Sequence, residues 1–341
     1  MSGLTDTLPA EQRRLLASAR PGAELAARPM LATLSDRRDF SSGEWIFERK
    51  LDGIRVLAVR EGDRVLLLSR TGRHLNDTYP EIVETLAAQE CADFTVDGEI
   101  VAFSGGRTDF SRLQQRMGPT RRRDIEAGGI AVKYYLFDLL RLEGADTRRL
   151  PLRTRKSLLR RALVHRAPLR LTTHRNEGGA DLLAEACGRG WEGLIAKRAD
   201  STYQSRRSTD WLKLKCSLDQ EFVIGGFTEP AGSRVGFGAL LLGYYEDDRL
   251  RYAGKVGTGF DRRTLLGLRA RLDELATQAS PFDEPVRERG AHWARPEPVA
   301  QIGFTEWTKD GMLRHPRFLG LRDDKSASEV VRERAMRHVA V

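Results

Sequence analysis

The sequence predicts an α+β chain of two domains, and three observations carry the prediction. Its 341 residues are about twice the usual single-domain length of ~150. Up to about residue 218, β-branched runs alternate with helical periodicities, whereas from Asp219 short strands follow one another through glycine-rich turns, with a single helix among them. Strand-forming residues pause at "CSLD", 216–219. A boundary near 217–219 then divides an N-terminal helix and entry loop (1–27), a larger domain (28–218) and a smaller one (219–341).

The elements follow in order. "PAEQRRLLASA" within residues 8–20 reads as a short amphipathic helix, and "RPMLATLSDRRDFSSGEW" as a Pro, Ser and Gly punctuated loop. "EWIFERK", "IRVLAVR" and "RVLLLSR" read as antiparallel strands joined by tight turns at "LDG" and "EGD". "TYPEIVETLAAQ" (78–89) is a helix with Pro80 in its first turn, followed by a strand pair around "FTVDGEIVAF" that turns at its glycine. A loop holds "PTRRRD". Next come a buried strand in "IAVKYYLFDLL", a helix in "LRTRKSLLRRALVHR", a glycine-closed helix in "ADLLAEACGRG", and strands in "WEGLIAKR" and "DWLKLKC". In the smaller domain, "EFVIGGF", "GALLLGYY", "RLRYAGKVG" and "VAQIGFTEW" are strands and "DRRTLLGLRARLDELAT" is a helix, the pattern of a five-stranded barrel with one helix. There is no internal repeat and no low-complexity tract.

Composition narrows the function. The net charge of +9, much of it arginine, suits a polyanionic partner as well as it suits a solvated basic surface. Cys91, Cys187 and Cys216 are far apart, odd in number and without a CxxC pair, so neither a disulfide framework nor a structural zinc site is expected, and a reducing compartment fits. The six histidines are scattered. No signal peptide or membrane-length apolar run is visible.

The chemistry-bearing residues cluster in a few short stretches. Alternation in "EWIFERK" puts Ile46, Glu48 and Lys50 on one face and Trp45, Phe47 and Arg49 on the other. Alone, this is a surface Glu and Lys pair. "WLKLK" likewise aligns Trp211, Lys213 and Lys215, with Leu212 and Leu214 behind, and two ammonium groups aimed at one place call for an anion. Glu99 in "VDGEI" and Glu192 in "WEGLI" stand beside glycines, where a carboxylate could hold a divalent cation. A lysine nucleophile, carboxylates for a metal and cations for a phosphate are together the ingredients of nucleotidyl transfer. On the residues alone Phe137 reads more readily as core, Arg322 and Lys325 equally as a solvated cluster, and Arg121 to Arg123 as a loop that touches a polyanion's backbone or nothing.

In the order "KLDGIR", "SRTGRHL", "VDGEI", "YLFDLL", "WEGLIAKR", "WLKLK" and "HPRFLGLRDDK", the chain from about 28 to 335 resembles ATP-dependent DNA ligases, above all the ligase modules of bacterial non-homologous end joining. The resemblance implies an adenylation (nucleotidyltransferase) domain of antiparallel sheets and helices, followed by an OB-fold β-barrel. It implies that Lys50 attacks the α-phosphorus of ATP, Glu48 holds the adenine amino group, Phe137 stacks on the base, and Arg55 and Arg70 contact the ribose or phosphate region. It further implies that Glu99 and Glu192 bind ribose and the metal, Mg2+ or Mn2+, and that Lys213 and Lys215 neutralise the α-phosphate. Arg322 and Lys325, with Asp324 beside them, would meet the departing pyrophosphate in the first step, and the barrel would then swing away about the 217–219 hinge to make room for DNA.

The implied partner is nicked duplex DNA bound without sequence preference, with end-joining or repair proteins as further partners. The expected state is a stand-alone monomer in the bacterial cytosol or nucleoid. RNA ligases and capping guanylyltransferases resemble the same core, but the "FLGLRDDK" ending and the flanks of Lys50 favour a DNA ligase. A basic DNA-binding protein that had lost the chemistry would lack the nucleophile or a carboxylate. The residues before Arg28 are too few for the nicotinamide-binding domain of NAD-dependent ligases, so ATP is expected.

Overall fold

The computed structural model describes residues 3–41 and 43–334. They form two compact units, one ending at Cys216 and the other spanning Ser217–Arg334. The first unit is built on two sheets. An eight-stranded sheet centres on Ile54–Glu61, Arg64–Ser69, Asp93–Ser104 and Val132–Leu142, all antiparallel neighbours. A five-stranded sheet runs in the order His174–Arg175, Trp45–Arg49, Gly193–Arg198, Arg207–Lys215, Leu31–Leu34, the last pair parallel.

The expected hairpin between "EWIFERK" and "IRVLAVR" is therefore corrected. Trp45–Arg49 and Ile54–Glu61 belong to different sheets, and Lys50 to Gly53 carries the chain from one to the other. The glycine is required by close approach: a Cβ at residue 53 would stand 2.2 Å from the Ile100 carbonyl oxygen. A second correction concerns "FTVDGEIVAF", which is one continuous strand with register shifts between Thr95 and Val96 and between Asp97 and Gly98. Gly98 makes no turn; a Cβ there would lie 2.5 Å from the Tyr134 ring.

Packing follows the alternation. Val56, Ala58, Val96, Tyr134 and Leu136 put one face of the large sheet into a core completed by helices Pro80–Ala87, Phe110–Met117 and Leu152–Ala162. Phe47, Leu194, Leu212 and Leu214 pack the outer face of the small sheet on helix Ala180–Gly188. The two sheets meet through Leu57, Val59, Leu68 and Leu140 from the large one and Trp211 from the small one, joined by Met30 and Tyr203.

Other expectations shift at their boundaries. The helix expected within 8–20 is a 3-10 turn (Leu4–Thr7) and a single turn (Ala10–Arg13), then a short strand, Ala17–Ser18, paired with Ala145–Asp146; a partner so distant in sequence leaves no local signal. The "PTRRRD" loop runs into a helix, Arg122–Gly128, in which Arg122 pairs with Glu84 and Glu126, and Arg123 with Asp124. Cys187 and Cys216 are joined by a disulfide across 29 positions, while Cys91 remains a thiol. The end of a helix and the end of a strand come together there, which counting cysteine spacings does not reveal.

The second unit has five main strands, Leu218–Thr228, Leu240–Glu246, Arg249–Val256, Val299–Phe304 and Arg317–Leu321, and the expected helix, Arg262–Glu274. The long first strand pairs with three others along its length. Short strands Ala276–Thr277 and Ala291–Ala294 add to the expected five, and "VAQIGFTEW" breaks before Glu306 to start a separate small hairpin with Leu313–Arg314.

Candidate active site

Register places the site. In a sheet, residues directly opposite one another share a face. Across the small sheet, Glu48, Ile195 and Lys213 make one row, and Ile46, Lys197 and Trp211 the next. Lys50 donates its backbone N–H to Gly193, which stands opposite Lys215, so these three continue the series. Across the large sheet, Arg55 lies opposite Glu99. Between the sheets is a cleft of about 140 Å³ lined by Glu48, Lys50, Arg55, Glu99, Phe137, Thr172, Ile195, Lys197 and Trp211, with Arg49, Leu51 and Ala32 at its margin.

Of the residues expected from sequence, the cleft thus collects Lys50, Glu48, Arg55, Glu99 and Phe137. Glu192 joins them by accepting a hydrogen bond from Lys50 Nζ, and its second oxygen, Oε2, is buried without a hydrogen-bond partner. Lys213 and Lys215 share strand Arg207–Lys215 with Trp211 but do not themselves line the cleft, and Arg70 follows the end of strand Arg64–Ser69, outside the lining. Among the described residues, no three His, Cys, Asp or Glu side chains converge as a metal cage.

The charges are held tightly. Glu48 is buried, and its carboxylate takes Lys156 Nζ at 2.5 Å on Oε1 and Lys197 Nζ at 2.7 Å on Oε2. Burial pushes its pKa up, but Lys156 and Lys197 outweigh burial and hold the carboxyl below its ordinary value. Lys197 is also buried, 4.3 Å from the centre of the Phe137 ring and 4.1 Å from that of Trp211, and burial pulls its ammonium below the usual lysine value despite Glu48. Arg55 forms a bidentate pair with fully buried Asp97, which also accepts from Tyr203 Oη at 2.6 Å. Burial works against the charged guanidinium, and Asp97 more than compensates, holding its pKa above the ordinary arginine value.

In the second unit, Arg322 is bidentate on Asp324 at 2.9 and 2.8 Å, and Lys325 reaches Glu221 at 3.0 Å. Burial raises the Asp324 pKa, but Arg322 and Lys325 bring it below the usual carboxylate range.

Sequence reasoning missed Lys197, Lys156 and Asp97. Lys197 alternates with Ile195 on the face of "LIAKR" opposite Leu194 and Ala196, so its position was visible but its burial was not. Lys156 interrupts the apolar stripe of Leu152 and Leu159 in "LRTRKSLLRRA". A lysine inside such a stripe was the available signal.

The family described as "ATP dependent DNA ligase domain" matches residues 29–215, and "ATP dependent DNA ligase C terminal region" matches residues 233–325. The chain is 44% identical over 315 residues to the multifunctional non-homologous end joining protein LigD of Pseudomonas aeruginosa, covering 90% of this chain and 36% of that one. It is 39% identical over 313 residues to the Mycobacterium tuberculosis protein LigD, covering 89% of this chain and 40% of that one. It thus spans well under half the length of either relative. A solved structure described as mycobacterial DNA ligase D complexed with ATP and MES superposes with a TM-score of 0.64 at 37% identity, covering 91% of this chain and 99% of that one. A nucleotidyltransferase domain followed by an OB-fold domain accounts for both units, and the chain belongs to the ATP-dependent DNA ligase family.

Proposed function

We propose that the chain is an ATP-dependent DNA ligase that joins a 3′-hydroxyl to a 5′-phosphate at nicks or breaks in duplex DNA through a lysine-AMP on Lys50. The observation that carries this reading is the environment of Lys50 in a chain of this family. The lysine sits at the crossing between two sheets, on a cleft with an aromatic wall at Phe137, and its Nζ donates to Glu192. An amine attacks only after losing its proton. Glu192 is placed to orient the nitrogen and to receive that proton as the bond to the α-phosphorus forms and pyrophosphate leaves. AMP then passes to the DNA 5′-phosphate, and the adjacent 3′-hydroxyl displaces it. All three steps are in-line phosphoryl transfers, so positioning and charge stabilisation do most of the work.

The remaining roles follow the same reading. Glu48 takes the adenine amino group, Phe137 stacks on the base, and Arg55, Arg70 and Glu99 serve the ribose and phosphate region. Lys213 and Lys215 stabilise the α-phosphate, and Arg322 and Lys325 serve the pyrophosphate. Glu99 and Glu192 suit Mg2+ or Mn2+, because such ions are commonly held by one or two carboxylates with substrate phosphates, and the buried Glu192 Oε2 lacks a hydrogen-bond partner. A bound divalent ion would supply charge stabilisation at the phosphates. The net charge of +9 supports sequence-independent binding to DNA backbone, which weakens steeply with salt. We assign the protein to the bacterial cytoplasm, acting as a monomer with end-joining or repair partners; no helix of the described residues is long and apolar enough to cross a membrane.

The test is direct. With α-labelled ATP and Mg2+ or Mn2+, the wild type should acquire covalent label and seal a nicked duplex, and Lys50→Ala should do neither. Equal labelling of the variant would remove Lys50 from the mechanism. Preferential labelling by GTP would overturn the choice of ATP.

A further inference from the structure

The cleft contains a charge arrangement that the motifs of the family resemblance do not explain. Lys156 lies in helix Leu152–Ala162, outside those motifs and outside the cleft lining. Its ammonium nevertheless touches two walls of the cleft at once, donating to Glu48 Oε1 at 2.5 Å and to the Thr172 carbonyl oxygen at 3.1 Å. Lys197 occupies the other Glu48 oxygen. All three charged side chains are about 2% exposed. A buried carboxylate facing two buried ammonium groups leaves one positive charge in excess, which costs free energy for packing alone.

We propose that Lys156 is a positioning residue for base selection, holding Glu48 as a fixed anion so that the cleft takes a 6-amino purine nucleotide and rejects a 6-oxo one. The inference rests on the reading of Lys50 as nucleotidyl acceptor and of Glu48 as the residue at the base edge. An ionised carboxylate only accepts hydrogen bonds. The amino group of adenine can donate to a remaining lone pair on Glu48, whereas the carbonyl of hypoxanthine sets acceptor against acceptor in a desolvated site. Removing the Lys156 charge leaves Lys197 alone to oppose burial, which favours the protonated acid. A protonated Glu48 can donate to a 6-oxo group, so discrimination falls even though neither substrate touches Lys156. The same ammonium, through a second hydrogen bond, holds the carbonyl of Thr172, whose hydroxyl is buried without a partner at the cleft wall. Both wall residues therefore share one ammonium.

The experiment compares covalent labelling of full-length protein by α-labelled ATP and α-labelled ITP at several nucleotide concentrations. In Lys156→Met the preference for ATP over ITP should fall at least about tenfold, because a buried polar group is no longer forced to be an acceptor. The change should appear mainly in the concentration dependence, and Lys156→Arg should restore most of the preference. A wild type that acquires no label from ATP overturns the reading of Lys50 and this inference with it. A folded Lys156→Met with the wild-type preference overturns the inference alone. Should that variant melt below the assay temperature, Glu48→Gln/Lys156→Met removes the ion pair as a unit and leaves an amide that can donate or accept. Its preference should fall likewise, and a wild-type ratio in the double variant would also overturn the proposal.

Discussion

Glu48 and Asp324 are both buried carboxylates held below the ordinary acid range by two cations, yet they are built in opposite ways. The cations on Glu48 come from a helix 108 positions away and from a neighbouring strand, and they outnumber the acid two to one. Asp324 is gripped by Arg322, two residues before it, and the next cation, Lys325, also meets Glu221. The first arrangement is assembled by the tertiary fold and keeps a surplus of positive charge in the cleft. The second has a local core in Arg322 and Asp324, and Glu221 from strand Leu218–Thr228 balances its second cation. Residues proposed to meet pyrophosphate there are already paired, so an incoming phosphate must compete with carboxylates for them.

Removing one acid from each arrangement separates them most sharply. Glu48→Ala leaves two buried ammonium groups facing each other, and it should cost about 3–5 kcal/mol in urea unfolding, the range for stranding a buried charge. Loss of less than the Asp324 variant would break the comparison. Asp324→Asn should cost less, about 1–3 kcal/mol, because Arg322 keeps Glu221 at 3.8 Å.

The Asp324 contribution has a direction in pH. Its folded pKa lies below its unfolded value, so the stabilisation is complete above the ordinary ~3.9 and disappears as pH falls through the lowered folded value. Asp324→Asn should therefore show a shallower loss of stability on acidification, and an unchanged acid limb would remove Asp324 from that account. The smallest effect belongs to a pair that is both local and exposed, Arg269 with Asp273 one helical turn on. Asp273→Ala should change stability by no more than about 0.5 kcal/mol.

The same contrast explains what could be read in advance. Alternation along "WIFER" and "WLKLK" fixed which side chains share a face, and motif order carried the family and the two domain types. The Arg322 and Asp324 pair was visible as neighbours in "LRDDK". What alternation does not encode is which strands become neighbours when their partners lie far apart, as Trp45 and Arg198 do. Hence the division into two sheets, the Cys187 to Cys216 disulfide and the Lys156 contact were not legible. Gly98 misled for a related reason: a glycine needed for close packing against Tyr134 looks in sequence like one needed for a turn.

Lys50 is the last residue tied to the small sheet, through its N–H to Gly193, and the large sheet begins four positions later at Ile54. Mechanically, the proposed nucleophile is the joint between two plates. The short segment that links them is pressed against Ile100 at Gly53, so it has little room to move independently of the large sheet. Substitutions among Leu57, Val59 and Leu140, where the plates bear on one another, should therefore disturb adenylation at the proposed nucleophile without touching it.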